Sequence, residues 1–427
     1  MPDQQGRAPL PADGSSVRRI LWAAGFGAAG TSILSVANDL VAVLALDAGP
    51  AQIGVLNALE SVSYLALSVP AGWLLDRIDR KKALLWIQAI ATIAVVSVPV
   101  AWLLDSLTFS HLAVASFFVG TAGMVWGLGL SSILPSVVDK RAAGSAFGKL
   151  QSVETATGLV IPGLTGAVLL VLAAPLTLFF AGAAKIIGGL ILFTGPPAPK
   201  PEDEAEPLKF WAGVSEGFHF TVRSTPILLS TCAAAVANSA LALLMAVQTV
   251  YLVRELGFSP SLIAVQGTVI GASGFIGSLL AVRLLQRFRG LSTACVATVI
   301  ATLSALLFPL TALNPDSLVF TLPLITAFNI LWNITAVIAA AGKYGLMAAL
   351  VPSAMMGRVQ AFRRLIARGP IPIVAIVGGL LGETIGLVPT LWVFVTLALI
   401  ACVLHILLWI LSRNWDLPDP PRPGTDS

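Results

Sequence analysis

Four ionisable side chains interrupt long apolar stretches of this sequence: Asp39 in ILSVANDLVAVLAL, Glu60 in IGVLNALESVSYLAL, Glu154 in LQSVETATGLVI and Lys185 in LFFAGAAKIIGGLILF. With few other polar groups nearby, the chemistry open to a carboxylate is to bind and release a proton. Two carboxylates at matched depth can share one, because each negative charge makes the other easier to protonate. A lysine beside a carboxylate does the opposite and holds both as ions. At 1.5 Å of helix rise per residue, Asp39 stands about 10 Å and Glu60 about 14 Å from the same end of neighbouring apolar runs. Glu154 and Lys185 each stand about 15 Å from the opposite end. The spacing therefore offers one carboxylate pair and one ion pair. Facing lipid at mid-helix, each charge would cost about 2.5–3.5 kcal/mol, roughly 10 kcal/mol for the four, so they must point into a bundle, pair, or line water.

The elements that carry them are membrane spans. Only 11% of the 427 residues are charged and 57% are hydrophobic, and the mean hydropathy is +0.91, whereas a soluble domain carries roughly 25% charged residues. Apolar runs bounded by charge, Pro or Gly number twelve: about 19–46, 51–75, 82–104, 109–134, 143–172, 174–194, 224–253, 259–285, 291–313, 317–341, 359–384 and 387–412. Runs of this length do not alternate as barrel strands do, so the expected fold is an all-α polytopic membrane protein of twelve transmembrane helices. Residues 1–17 are polar, and no small-residue cleavage site follows the first run, which reads as a retained helix.

The basic residues set the orientation. With both termini cytoplasmic, 23 of the 25 Lys and Arg fall at cytoplasmic ends or loops, Arg254 lies outside and Lys185 lies within a span. Their short clusters form no basic face, so the net charge of +4 does not point to nucleic acid. The sequence divides into an N-terminal tail (1–18), a six-helix bundle (19–194), a cytoplasmic linker (195–223) with a short amphipathic helix near 208–222, a second six-helix bundle (224–412) and a C-terminal tail (413–427). Two matches suggest that the halves are duplicates in pseudo-symmetric arrangement. GWLLDR at 72–77 pairs with GSLLAVR at 277–283, and LPSVVDKRAAGSAFGKL at 134–150 pairs with VPSAMMGRVQAFRRL at 351–365.

Between the second and third runs, AGWLLDRIDRKKALLW packs six charges into seven positions. Gly72, Asp76, Arg77, Arg80 and Lys81 occupy the places of the loop signature of the major facilitator superfamily of secondary transporters, which the chain resembles over about residues 18–412; Asp79 stands where that signature usually has glycine. The stretches 251–285 and 357–387 are similar to the drug:proton antiporter branch that includes macrolide and siderophore exporters. In TGLVIPGLTGAVL, Pro162 and Gly166 match that branch's span-five motif, while Ile161 and Thr165 replace glycines. The arginine often found in its span four is absent. The loop implied by the resemblance is a latch: Asp76 accepts hydrogen bonds from the positive N-terminal end of span eleven, and Arg77 and Arg80 hold or release it.

The resemblance implies a substrate path between the halves, lined by spans one, four, seven and ten. Those spans offer Asn38, Trp126, Asn238, Met245, Gln248, Phe328, Asn329, Trp332 and Asn333, with Trp126 and Trp332 expected to face each other. Aromatic walls with a few amides suit an amphipathic organic molecule better than a sugar. Proton coupling is expected of Asp39, Glu60 or Glu154, with Lys185 as the partner of Glu154. The sequence lacks a G-x-x-x-x-G-K-[ST] loop, and His111, His219 and His405 are scattered, so neither an ATP-driven pump nor an enzyme is expected. Cys232, Cys295 and Cys402 lie apart in apolar runs and form neither a metal site nor a disulfide framework. No cofactor is expected. The expected activity is export of a drug-like, macrolide-like or siderophore-like molecule in exchange for protons, by a monomer in the plasma (inner) membrane. Two other readings share the pattern: proton-coupled import of a small nutrient, and a non-transporting receptor or scaffold of transporter ancestry.

Overall fold

A computed structural model describes residues 14–75, 78–133, 143–194, 210–351 and 356–412, and all the regular structure among them is helical. The first half comprises α1 (Gly14–Ala45), α2 (Pro50–Leu75), α3 (Arg80–Leu103), α4 (Phe109–Ile133), α5 (Ala143–Leu169) and α6 (Ala174–Phe193). A short helix, α7 (Phe210–Arg223), precedes α8 (Thr225–Val250), α9 (Pro260–Arg287), α10 (Gly290–Ala305), α11 (Leu307–Leu310) and α12 (Leu318–Leu350). The chain closes with α13 (Met356–Arg368), α14 (Ile371–Thr384) and α15 (Leu387–Ser412). Eleven segments of the described chain are long and apolar enough to cross a membrane, and α2, at 26 residues, completes twelve crossings.

The crossings form two six-helix bundles. In the first, α1 packs on α5 and α6, α3 on α4 and α6, and α2 on α4. In the second, α8 packs on α14 and α15, α12 on α9 and α10, and α10 on α15. The bundles meet through α2 against α8 and α14, and through α5 against α9, so span two meets span eleven as span five meets span eight.

Proline decides where crossings depart from single helices. The run at 359–384, read from sequence as one span, is two helices, α13 and α14, separated at Gly369–Pro370. Pro370 and Pro372 lack the N–H groups that would bond the carbonyls four residues back. Those carbonyls are Ile366 O and Arg368 O; between them, Ala367 O accepts the Asn238 Nδ2 amide of α8 at 2.8 Å. In span nine, Pro309 accompanies the breakdown of α10 into α11 and a 3-10 turn at Thr311–Leu313. Asp79 has a physical reason to replace glycine. It adopts φ −60° and ψ 102°, which needs no glycine, and its side chain accepts the Lys82 N–H at 3.1 Å as the N-cap of α3.

Candidate functional site

Side chains that bridge the bundles gather at the end distal to the chain termini. Arg254 pairs with Asp47 at 2.6 Å and donates to the Ala48 carbonyl at 3.0 Å. Asn57 Nδ2 reaches the Met245 carbonyl at 3.4 Å. Glycine permits the close approach beneath: a methyl group at Gly379 would collide with the Pro50 carbonyl, and one at Gly54 with the Ala375 carbonyl. On the other side of the seam, a methyl at Gly166 would meet Ala264 Cβ at 3.0 Å, and one at Gly267 would meet Pro162 Cβ at 2.9 Å.

Two of the embedded carboxylates stand at this closed seam. Asp39, on α1, accepts from Thr249 Oγ1 of α8 at 3.2 Å, a hydrogen bond that crosses between bundles. Its neighbour Asn38 is buried and donates through Nδ2 to Glu60 Oε1 on α2 at 2.9 Å. Asn38 Oδ1 accepts in turn from Ser116 Oγ on α4 at 3.2 Å. Successive residues of one helix thus tie one carboxylate into the N-terminal bundle and the other to the opposite bundle. A methyl at Gly120 would meet the Glu60 carbonyl at 3.0 Å, so α4 lies close against this network.

The other expected pair does not form. Lys185 is 2% exposed and lies along α1, where a methyl at Gly30 would meet its Cγ at 2.9 Å. Its own carbonyl accepts from Gln88 Nε2 at 3.0 Å. Glu154 is exposed, and among the described residues no ion pair joins it to Lys185. The exposure of Glu154 is not toward lipid. Residues 152, 156, 160, 164 and 167 form the exposed outer stripe of α5, whereas Glu154 shares the opposite face with half-buried Gly158 and Ile161 and buried Thr165.

The candidate cavity residues divide among three places. Asn238, Met245 and Gln248 lie on one face of α8 with Leu241 and Thr249, none of them buried. From Asn238 to Thr249 this face runs about 16 Å. Asn238, Leu241 and Trp332 line a cavity of about 340 Å³ inside the C-terminal bundle. Phe328, by contrast, is core, 3% exposed and stacked edge-on with Phe308 and Phe394. Asn329 donates to Gln266 Oε1 at 3.0 Å, and Asn333 donates to the Asn329 carbonyl at 2.8 Å. Trp126 does not face Trp332. It is 7% exposed and packs with Ile20, Leu84 and Leu150 in the core of the first bundle, against Gly27.

Three residues of the cavity wall were passed over in the sequence. Lys343, Arg363 and His405 line it together, and Lys343 Nζ lies 3.1 Å from His405 Nε2. Lysine and arginine at helix ends read as topology signals, and a lone histidine in an apolar run has no partner that spacing reveals. Only the packing of α12, α13 and α15 brings the three together.

The family model of the Major Facilitator Superfamily matches residues 20–369. The chain belongs to this superfamily. Solved structures agree with the fold. The nucleoside transporter NupG shares 15% identity over 92% of this chain and 98% of its own, with a TM-score of 0.74. A bacterial homologue of the iron transporter ferroportin, in its inward-facing state, shares 16% identity over 92% and 98%, with a TM-score of 0.72. A bacterial homologue of the human lysosomal transporter Spinster, inward-facing and unoccupied, shares 17% over 96% and 100%, with a TM-score of 0.67. No curated protein matches in sequence. The comparisons reach the superfamily and not the drug:proton antiporter branch within it.

Within the superfamily fold, the loop residues fall in different settings. Gly72 belongs to α2, Arg80 and Lys81 open α3, and Asp76 and Arg77 lie outside the described residues. Lys81 Nζ sits 5.9 Å from the centre of the Phe193 ring at the end of α6. Pro162 and Gly166 face α9 across the seam.

Proposed function

We propose that this superfamily member exports a small amphipathic organic molecule in exchange for protons, by rocking its two bundles against each other across the seam between α1, α2 and α8. The observation that carries this reading is the Thr249–Asp39 hydrogen bond between bundles, one residue along α1 from the Asn38 that holds Glu60. An antiporter must not reorient while empty and deprotonated, or the proton gradient leaks. A hydroxyl donating to a charged carboxylate makes a bond roughly twice as strong as one to a neutral group. The bond therefore holds the distal seam shut most firmly when Asp39 is charged. A proton-coupled importer needs the reverse, since its empty deprotonated form must reorient freely.

With the termini in the cytoplasm, an orientation that the placement of the basic residues supports, the closed seam faces outward. The plasma (inner) membrane and a monomeric state belong to the same proposal. Asp76 and Arg77 take the latch role when the proximal ends meet. The test uses proteoliposomes with an imposed pH gradient and a fluorescent amphiphile. The wild type is expected to move the amphiphile against the proton flux and to leak few protons without it. Thr249→Val is expected to leak protons with no amphiphile present. Co-directional movement of amphiphile and protons would defeat the reading.

A further inference from the structure

One face of α9 packs on α12: a methyl at Gly277 would meet the Ile334 carbonyl at 2.9 Å, and Ala281 sits with Ile338 and Ala339. A second face carries the exposed residues Val265, Ile276 and Leu279, and Arg283 continues it at the proximal end. Exposed apolar residues along a membrane span meet lipid. Beside this face lies a groove of about 300 Å³. It exists because α9 and α10 each pack on α12 but barely on each other. Leu284, Phe288, Val296, Ile300 and Ile338 wall it, and Phe288, Val296 and Ile300 are exposed. From Ser292 to Ile300 the α10 wall rises about 12 Å, most of the roughly 15 Å of hydrocarbon in one leaflet. The hydroxyls along it are already engaged. Thr293 Oγ1 donates to the Arg289 carbonyl at 3.1 Å, Thr335 Oγ1 donates to the Leu331 carbonyl at 2.6 Å, and Ser292 Oγ accepts from Trp409 Nε1 at 3.0 Å. The groove therefore suits a hydrocarbon chain and not a polar solute.

Two arginines stand at its proximal mouth. Arg283 and Arg287 directly precede the wall residues Leu284 and Phe288, both are exposed, and neither has an ion pair or hydrogen bond with a described residue. Arg289, in the turn, is engaged elsewhere and forms no part of the site. Four positions apart on one helix, the charges of Arg283 and Arg287 repel each other. No acidic residue occurs from 256 to 315 to relieve them. We propose that the groove between α9 and α10 holds an anionic phospholipid of the proximal leaflet, its acyl chain against Val296 and Ile300 and its phosphate between Arg283 and Arg287. An apolar slot about one leaflet deep, with two guanidinium groups at the headgroup level, matches that molecule in both shape and charge. The assignment requires only that α9 and α10 cross the membrane and is independent of the antiport reading.

The experiment is native mass spectrometry of the full-length protein in detergent micelles, titrated with dioctanoyl phosphatidylglycerol or dioctanoyl phosphatidylcholine, which share their chains and differ in headgroup charge. The wild type is expected to retain one phosphatidylglycerol that the Arg283→Gln/Arg287→Gln double variant does not. That lipid should bind at concentrations about tenfold below those needed for phosphatidylcholine, as one charge-assisted hydrogen bond would provide. The Arg283→Lys/Arg287→Lys double variant is expected to keep it. Val296→Trp, which fills the groove, is expected to lose it with both arginines in place. Equal retention of the two lipids, or the same number of phosphatidylglycerols in the wild type and the glutamine variant, overturns the proposal. Phosphatidylglycerol retained in full by Val296→Trp would place the lipid outside the groove and overturn it equally. If Val296→Trp does not fold, the glutamine variant, altered only at exposed positions, decides alone. Glycerol 3-phosphate, a headgroup without chains, is expected not to compete; competition at the concentration of the lipid itself would give the arginines to a free phosphate and defeat the lipid assignment. Displacement of the lipid by an equal concentration of neutral 1-naphthamide would give the groove to an uncharged amphiphile and defeat it too.

Discussion

Thr249 and Asp39 sit on opposite bundles, 210 positions apart in the chain, and are joined by a 3.2 Å hydrogen bond at the closed end of the molecule. A bond to a charged group contributes about 1.5–3 kcal/mol, so removing it shifts the balance between closed and open seams by about tenfold or more. Thr249→Val and Asp39→Asn are both expected to populate the distal-open form, read as lengthened distances between spin labels placed on α2 and α14. In the wild type, the same lengthening is expected as pH falls and Asp39 takes up a proton. That response should vanish in Asp39→Asn, although Glu60 and the Asp47–Arg254 pair stay at the seam. A distance distribution insensitive to both substitutions would remove this bond from the gating.

Glu60→Gln preserves the oxygen that accepts from Asn38 and removes the titratable group. Exchange of substrate for substrate is expected to continue, while transport driven by a pH gradient is lost. Asn38→Leu is the contrasting change. It strands the Glu60 carboxylate without its Asn38 partner, while Ser116 keeps its 2.8 Å bond to the Leu112 carbonyl, at a cost of about 1–3 kcal/mol, and is expected to lower the melting temperature of the purified protein.

Lys185 is buried between α1 and its own helix, with no described carboxylate paired to it. Replacing a buried charge with an apolar side chain of similar shape is often neutral or stabilising by about 1–4 kcal/mol. Lys185→Met is expected to melt at or above the wild-type temperature. A clearly lower melting temperature would contradict the reading of Lys185 as an uncompensated buried charge.

Gly379→Leu drives a side chain into Pro50 and Ala51, where the helices of the two bundles touch backbone to backbone. The protein is expected to insert normally but to lose the distal seal. With Cys introduced at Asn57, the variant should react with a membrane-impermeant maleimide from the distal side. Labelling no faster than in the Asn57→Cys protein alone would contradict the seal.

Much of the architecture was legible because hydropathy over about 20 residues reports a crossing whatever its neighbours are. The face of α8 bearing Asn238, Met245 and Gln248 was also foreseeable, since polar residues in an apolar helix must avoid lipid. What a helix end faces is different, because it depends on partners distant in sequence. Lys343 and His405 are 62 residues apart and belong to different spans, so the basic group read as loop chemistry and not as a cavity wall. Trp126 shows the converse: an aromatic in a span expected to line the path turned into the bundle core, because Gly27 leaves space for its ring. The break at Gly369–Pro370 was written in the sequence, although the stretch 359–384 was read across it as one span.

That break has a mechanical meaning. α13 packs on α7 and α8, whereas α14 carries the glycines that touch α2. Between them the chain gives up helical continuity, and Asn238 takes the carbonyl that continuity would have used. A tilt of the proximal segment, with Arg363 aboard, is therefore not levered rigidly into the distal seal. The span works as two short rods sharing a joint, and both rods pack on α8, which can carry a motion of one to the other.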